Sequence, residues 1–480
     1  MDNKSNSILR QSAKGIIALI SRTFILDIVS TATSLVIFSI LTQSQVGIYT
    51  VVIAIQRVIS FFTDFGFGAA LVQKKEELTK EDLQTSFTLQ AVLTGVIFLL
   101  VMLLKIPLMN FFRLNDSAFF LLGVLVFTIF LSSFKTIPSI ILERKIHFHR
   151  LIIPQLIESI VFNLLLLVLV LLHFGLYGYA WAFLVSSVIS IPFYFWVAPW
   201  EIGLGINKES LYHLKFGLQF QLKNVLATIK DDFLTVILSR FLSFTQIGYI
   251  GFAQNLAFSP YKYFVDSITR VTFSSYARLQ DQKEMLRKAI EKSLFFVSLI
   301  MFPLLTGIIL SAPYVIKYFP HWSNKWDPAI ISIVFFSLNA MVSSLSGILV
   351  NVLDSNGRVK VTLRLMVIWT ALTWTLTPLL IFKFGYNGVA AASFLVTLTI
   401  VYTIHLVKKI TNFSFWQSIY KPIIGATAMG IFFSSTSNLF IHGLPSVIGL
   451  SAFSAAFYFG FLYILAGPEV IKDVKLLLKK

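Results

Sequence analysis

The groups in this sequence that can do chemistry are charges set inside apolar helices. Residues 223–240 read KNVLATIKDDFLTVILSR. The stretch has the apolar content of a membrane-spanning helix, yet it carries Lys223, Lys230, Asp231 and Asp232. A charge in the bilayer core is costly unless it faces a partner or water. Four in one helix imply a protein interior with a polar cavity. Lys223 and Lys230 are seven positions apart, which puts them on one face. Lys230 suits a negative substrate group while an Asp holds it in place. Asp231 and Asp232 are adjacent carboxylates that repel. They are candidates to hold a proton or a cation between them.

Other apolar runs carry the same signal. The first holds Arg22 and Asp27; the second holds Arg57 and Asp64. Arg57 and Asp64 share a face about 10 Å apart, too far to bond each other. The expected facing partners are Asp27 for Arg57 and Arg22 for Asp64. These groups either wall a basic cavity closed by ion pairs or fix helix packing. Lys135 precedes Pro138, and Glu158 follows Pro154 by one turn. Prolines free carbonyls that a neighbour or water must satisfy. Glu158 is either a proton-binding site or the partner of Lys135. Lys262, Asp266 and Arg270 are each four apart. They form either a salt-bridged ladder near the inner mouth or, through Lys262 and Arg270, a phosphate-attracting edge.

Conventional catalytic patterns are missing. His147, His149, His173, His213, His321 and His405 are scattered near span ends. There is no hydrolytic triad, metal cluster, Walker sequence or dinucleotide loop, so no catalytic residue, metal or cofactor is expected. With no cysteine in the chain, disulfides and thiol chemistry are excluded.

The elements that position these charges follow from composition. Of 480 residues, 56% are hydrophobic and 13% are charged, against about 25% charged in soluble domains. The apolar residues come in runs of roughly twenty, the length that crosses a bilayer. The reading is an all-α integral membrane protein of fourteen spans. Their limits are 16–39, 47–68, 86–108, 117–140, 151–173, 178–198, 214–238, 246–268, 293–313, 328–350, 362–382, 387–407, 420–438 and 446–466. Trp181, Trp196, Trp200, Trp322 and Trp326 at span ends read as interface anchors.

The net charge of +17 lies mostly in loops, and no nucleic-acid motif accompanies it. With fourteen spans, basic residues gather on one side of the membrane. The other side keeps Lys105, Arg113, Arg240, Lys317, Lys325 and Lys383. This asymmetry places both termini in the cytoplasm. The polar, basic start leads into a retained helix rather than a cleaved signal peptide.

An internal repeat orders the spans. FGLYGYAWA at 174–182 matches FGYNGVAAA at 384–392, and LTQSQVG at 41–47 matches LSFTQIG at 242–248. Spans one to six thus echo seven to twelve in the same order. Six is even, so the halves share one topology. The expected division is an N-lobe at 1–200, a cytoplasmic linker at 201–213 and a C-lobe at 214–410. Two further helices and a basic tail fill 411–480. YARLQDQKEMLRKAIEK at 276–292 is amphipathic, with Leu279, Leu286, Ile290 and Leu294 near one face. It is expected to lie on the inner membrane surface and run into span nine.

Several stretches also resemble a known family. They are QVGIYTVVIAIQ at 45–56, FFTDFGFGAALVQKKEELTKEDLQTSF at 61–87, IPSIILERKIHFHRL at 137–151, 215–260 around TIKDDFLTVILSR, RVTFSSYARLQDQKEMLRKAI at 270–290 and LDSNGRVK at 353–360. Together they resemble the polysaccharide transporter, or oligosaccharide flippase, family, in the superfamily of the MATE drug exporters. The resemblance covers roughly 10–410. It implies a two-lobed helical bundle in a bacterial inner or cytoplasmic membrane. It also implies transfer of a polyprenyl-diphosphate-linked oligosaccharide to the outer leaflet. The family's Asp in the seventh span falls on Asp232, and its Arg-Val falls on Arg270 and Val271. Where the family has Pro next, this chain reads TFSSY at 272–276.

The expected mechanism is alternating access without covalent chemistry. The diphosphate enters near Lys262 and Arg270 and then meets Arg22, Arg57, Lys135, Lys223 or Lys230. Coupling to H⁺ or Na⁺ falls to Asp231, Asp232, Asp64 or Glu158, with Asp27 and Asp266 as ion-pair partners. Membrane lipids and, by the resemblance, polysaccharide polymerase and co-polymerase proteins are the candidate partners. A MATE-like exporter of small cations is the alternative. Such a protein needs a carboxylate-dominated cavity, which the many candidate Lys and Arg oppose. A glycan polymerase or ligase needs a sizeable outer loop, and the longest here is about 314–327.

Overall fold

The computed structural model describes residues 29–63, 71, 76–145, 147–207 and 228–466. Every regular element among them is a helix. Contacts divide the chain into two compact units, Met1–Gly248 and Tyr249–Lys480. The first unit reaches past the expected lobe boundary because the helix near residue 234 packs along the second helix.

In the first unit the helices are α1 (Val29–Ile40), α2 (Gln43–Thr63), α3 (Lys80–Leu103), α4 (Lys105–Phe112), α5 (Asp116–Arg144), α6 (Phe148–Leu171) and α7 (Leu176–Val197). A π-helical turn at Ile229–Phe233 then runs into α8 (Leu234–Leu238). Local chemistry sets the starts. The Thr79 hydroxyl accepts from the Asp82 amide, and the Asp82 carboxylate accepts from the Thr79 amide. This reciprocal cap satisfies two amides that the first turn of α3 leaves over. Asn115 caps α5 through the Ala118 amide at 2.9 Å. α5 is the hub, touching α2, α3, α6 and α7. Its Ala118, Leu121 and Leu122 are fully buried.

In the second unit, α9 (Phe244–Pro260), which begins in the first, continues through a π-helical turn at Tyr261–Val265 into α10 (Asp266–Arg278). Pro260 lacks an N–H, and its ring crowds the carbonyl four residues back, which favours a wider turn there. Then follow α11 (Lys283–Tyr318), α12 (Ile330–Ser355), α13 (Val359–Phe384), α14 (Asn387–Thr397), α15 (Ile400–Lys408), α16 (Phe415–Phe440) and α17 (Leu444–Ala466). α11 packs on α12, α16 and α17.

Among the described residues, 11 helices are long and apolar enough to cross a membrane. They coincide with expected spans two to six and nine to fourteen. Expected spans one and seven run into residues outside the described set. Expected span eight is α9 with its π-helical turn.

The internal repeat has a counterpart in the backbone. Asp116 and Asp327, Phe148 and Val359, and Leu176 and Asn387 are corresponding helix starts, 211 residues apart each time. Gly175 and Gly385 precede the last pair with φ of 56° and 58°, a conformation that suits glycine. Tyr49 stacks on Tyr179 at 4.1 Å in the first unit. Tyr249 meets Tyr386 at 5.4 Å in the second. The two LTQSQVG-like corners also touch each other. A Cβ on Gly47 would stand 1.7 Å from the Phe244 carbonyl oxygen, and one on Gly248 would stand 2.0 Å from the Gln43 carbonyl oxygen.

Two expectations are corrected. The segment around Leu286 runs into span nine as expected, within the single helix α11, but its apolar face is not left for lipid. Leu286, Ile290 and Leu294 are fully buried against Val352, Leu353 and their neighbours in the second unit's own core. The apolar stripe was real, but it faces protein rather than lipid. Trp322 and Trp326 are likewise not interface anchors. Both are fully buried. Phe252 stacks on Trp326 at 4.2 Å and meets Trp322 edge-on at 5.0 Å. Trp181 and Trp196 are exposed, as anchors should be.

Lys325 lies between these tryptophans, with Nζ 5.6 Å from the Trp326 ring. Burial lowers its pKa from 10.5 to about 8. Below about 8 the amine is charged in both the folded and the unfolded chain. Between the two values only the unfolded chain keeps the proton, so stability rises with pH in that window. Thermal midpoints from pH 7.5 to 10 are expected to rise for the wild type relative to Lys325→Met. Parallel profiles would contradict this.

Candidate functional site

The first unit holds most of the described candidate charges: Arg57, Lys135, Glu158, Lys230, Asp231 and Asp232. Arg57 projects from α2, whose sequence is apolar on both sides of it. It sits about 20 Å along the helix from Gln43. Its Nη1 lies 3.3 Å from Asp232 Oδ1 in the π-helical turn before α8, with the side chains 63% and 19% exposed. The described partner of Arg57 is therefore Asp232; the expected pairing with Asp27 falls outside the described residues. Arg22, Asp27, Asp64 and Lys223 lie outside the described residues.

An exposed guanidinium at that depth carries a physical consequence. In hydrocarbon it would cost on the order of 3 kcal/mol. That face of α2 must border water or a ligand. Lys230 lies in the same π-helical turn as Asp232, with Nζ 2.9 Å from Asp231 Oδ1. The two adjacent aspartates are thus divided between two cations. Asp232 holds the neighbouring helix, and Asp231, at 64% exposure, holds Lys230. The resulting cluster of two cations and two anions leaves Arg57 with hydrogen-bond donors for a further acceptor.

The π-helical geometry matters here. It places one residue more in a turn than an α-helix holds, and such turns are frequent at functional sites. One occurs at Ile229–Phe233, the other at Tyr261–Val265. Both carry candidate residues, and neither was legible from periodicity. The second carries Lys262 and leads directly into Asp266, the first residue of α10. Lys262 and Arg270 are exposed and make no ion pair among the described residues.

Lys135 and Glu158 do meet. Lys135 Nζ donates to Glu158 Oε1 at 2.6 Å and to Ser187 Oγ at 2.8 Å. Three helices, α5, α6 and α7, are tied at this point. Lys135 is 8% exposed. Ser187 was not singled out from the sequence. A serine in an apolar helix gives no sign of which cation it will meet.

The second unit holds an apolar cavity of about 940 Å³, lined by Phe302, Leu310, Met341, Phe394, Ile423 and Ile431 among others. Thr306, Thr427, Ser434 and Ser435 are its polar lining residues. No cluster of three or more metal-ligating side chains occurs among the described residues.

Comparison with known proteins gives the lineage. The TuaB protein of teichuronic acid biosynthesis from Bacillus subtilis (strain 168) is 22% identical over 429 residues, covering 85% of each chain. The lipopolysaccharide biosynthesis protein WzxC of Escherichia coli (strain K12) is 25% identical over 407 residues, covering 82% of this chain and 77% of WzxC. In solved structures the fold recurs in the lipid II flippase MurJ, in an inward closed conformation, with TM-score 0.76 at 16% identity. That match covers 93% of this chain and 98% of MurJ. An inward-facing multidrug resistance MATE transporter of the MOP superfamily matches with TM-score 0.62 at 16% identity, over 82% of this chain and 98% of the transporter. At such identity these two speak for the fold alone. The profile of the polysaccharide biosynthesis protein family matches residues 36–331, more than half of the chain, and the chain belongs to that family.

Proposed function

We propose that the chain flips a polyprenyl-diphosphate-linked oligosaccharide from the cytoplasmic to the outer leaflet by alternating access. It supplies polysaccharide biosynthesis and changes no covalent bond. The observation that supports this reading best is the Arg57–Asp232 and Lys230–Asp231 cluster, in which the Arg57 guanidinium stays 63% exposed on a helix long and apolar enough to cross a membrane. A diphosphate is a compact polyanion, and Arg binds phosphate with paired donors.

The finer assignments follow the sequence. Fourteen spans, two six-helix lobes at 1–200 and 214–410, a linker at 201–213 and cytoplasmic termini complete the architecture. The location is a bacterial inner membrane. Lys262 and Arg270, exposed and without ion-pair partners among the described residues, receive the diphosphate first. Arg57 and Lys230 take it over, with Arg22 and Lys223 as further contacts. Asp231 and Asp232 release their cations as the phosphate arrives and take up H⁺ or Na⁺. Asp27, Asp64 and Asp266 pair with nearby cations. Lys135 and Glu158 are placed as a packing pair, since Ser187 and Glu158 already fill the ammonium's surroundings. The apolar cavity of the second unit suits a stretch of isoprenoid chain. Polymerase and co-polymerase proteins are the expected partners downstream.

The rival is cation-coupled export of small molecules. A cationic drug requires net negative charge at its site, and Arg57 and Lys230 cancel Asp231 and Asp232. The test is a leaflet assay in proteoliposomes with a sugar-labelled polyprenyl-diphosphate oligosaccharide, with and without a pH or Na⁺ gradient. Wild type is expected to move the label. Arg57→Ala and Lys230→Ala are each expected to slow it by about tenfold or more, as loss of a charged hydrogen bond of 1.5–3 kcal/mol requires. Export of a small cation without glycolipid movement would sink the proposal.

A further inference from the structure

The segment leaving α7 does not run straight into water. Residues 201–207 read EIGLGIN and lie as an extended strap along the start of α3. Lys80 pairs with Glu201. The Gly205 amide donates to Thr88 Oγ1 at 3.0 Å, and the Asn207 amide donates to Thr85 Oγ1 at 3.0 Å. The Asn207 side chain donates to the Glu81 carboxylate. Gly203 faces the helix so closely that a Cβ would stand 2.1 Å from Gln84 Nε2.

Extended backbone sends alternate side chains to opposite faces. Gly203, Gly205 and Asn207 face α3, so Ile202, Leu204 and Ile206 face away. They are 53%, 77% and 63% exposed. The helix face beneath the strap identifies what they meet. Glu81, Thr85, Thr88, Val92, Val96, Leu99 and Leu103 follow one another at spacings of three and four, a single stripe of α3. Thr85 and Thr88 are buried under the strap, whereas Val92, Val96, Leu99 and Leu103 are 59%, 47%, 60% and 80% exposed. An apolar stripe of that length on a spanning helix faces hydrocarbon. The strap therefore covers the Lys80 end of a lipid-facing surface. It reaches about 12 Å along the helix, to Thr88.

Irregular backbone against lipid needs its polar groups satisfied from within the protein. The two threonine hydroxyls do this for Gly205 and Asn207. The other amides and the carbonyls of 201–206 have no protein partner among the described residues. That keeps the backbone at the wet headgroup boundary and sends only the side chains toward the acyl chains. A larger residue at 203 would have to displace the Gln84 side chain. The sequence thus alternates glycine toward the helix with Ile, Leu and Ile toward the outside.

We propose that residues 201–207 form a re-entrant strap whose Ile202, Leu204 and Ile206 insert among the acyl chains of the leaflet at the Lys80 end of α3. Its partner is bulk membrane lipid. The strap fixes the depth at which the chain leaves α7, whatever the transported substrate.

The chain has no cysteine, so single-cysteine variants can be labelled directly. Leu204→Cys carrying a bimane fluorophore is reconstituted in phosphatidylcholine/phosphatidylglycerol vesicles with acyl chains bearing a doxyl quencher. Leu99→Cys is the lipid reference and Glu201→Cys the water reference. The Leu204 probe is expected to be quenched by doxyl lipid as strongly as the Leu99 probe, and to ignore aqueous iodide. Ile206→Cys is expected to repeat the result, which covers a failure of the first variant to fold. Quenching by iodide as at Glu201 would overturn the proposal by placing the comb in water. Quenching by neither agent would overturn it by placing the comb against protein. Neither result depends on flipping.

Discussion

Gly47→Ala is expected to abolish glycolipid movement while leaving the protein folded. The added Cβ would fall 1.7 Å from the Phe244 carbonyl oxygen. That atom belongs to backbone and cannot swing aside. Overpacking of this kind costs about 2 kcal/mol or more, enough to shift a two-state balance more than tenfold. The cost falls only on the state in which the two corners touch, so the balance moves toward states in which they part. Gly248→Ala meets the Gln43 carbonyl oxygen at 2.0 Å and is expected to behave alike. The check uses Val46→Cys and Ile247→Cys, which are 4% and 2% exposed. An impermeant maleimide is expected to label them slowly in the otherwise unaltered chain and readily with either alanine present. Equal labelling would show that the corners yield without parting.

The second large effect concerns stability. Lys135→Met leaves Glu158 without its cation among three packed helices. Breaking a buried pair from one side costs about 3–5 kcal/mol. Glu158 is 32% exposed, so the lower end of that range applies. The thermal midpoint in detergent is expected to fall markedly. Lys135→Met with Glu158→Gln removes both charges and is expected to restore most of the loss, since a neutral pair carries no ionic desolvation penalty. Transport is expected to return with stability. A stable double variant that no longer transports would move Lys135 and Glu158 from packing into the transport cycle.

Much of this molecule was legible in advance, for identifiable reasons. Apolar runs must be helices in a bilayer, because no other open element satisfies its own backbone. The repeat was legible because tight corners demand particular residues, as Gly175 and Gly385 show in their matching left-handed φ values. Charges in spans announced that they need partners, but not which partners. Arg57 meets Asp232 from 175 positions away, and Ser187 joins Lys135 without any warning in the sequence. Amphipathic spacing at Leu286, Ile290 and Leu294 could not say whether protein or lipid lies opposite. Trp322 and Trp326 carried the same ambiguity, because an indole suits an interface and an aromatic core equally.

The two π-helical turns at Ile229–Phe233 and Tyr261–Val265 behave like dislocations in a crystal. Each is one surplus residue in an otherwise regular lattice of hydrogen bonds. While both ends of its helix stay held, the surplus cannot vanish, but it can glide. A one-residue step exchanges one set of backbone hydrogen bonds for an equivalent set. Each step turns the side chain it passes by about 100° around the axis. Lys230, Asp231 and Asp232 sit on one such defect and Lys262 on the other. The helix that carries Lys262, described on both sides of its defect, can therefore re-aim that charge without unwinding and without moving its ends.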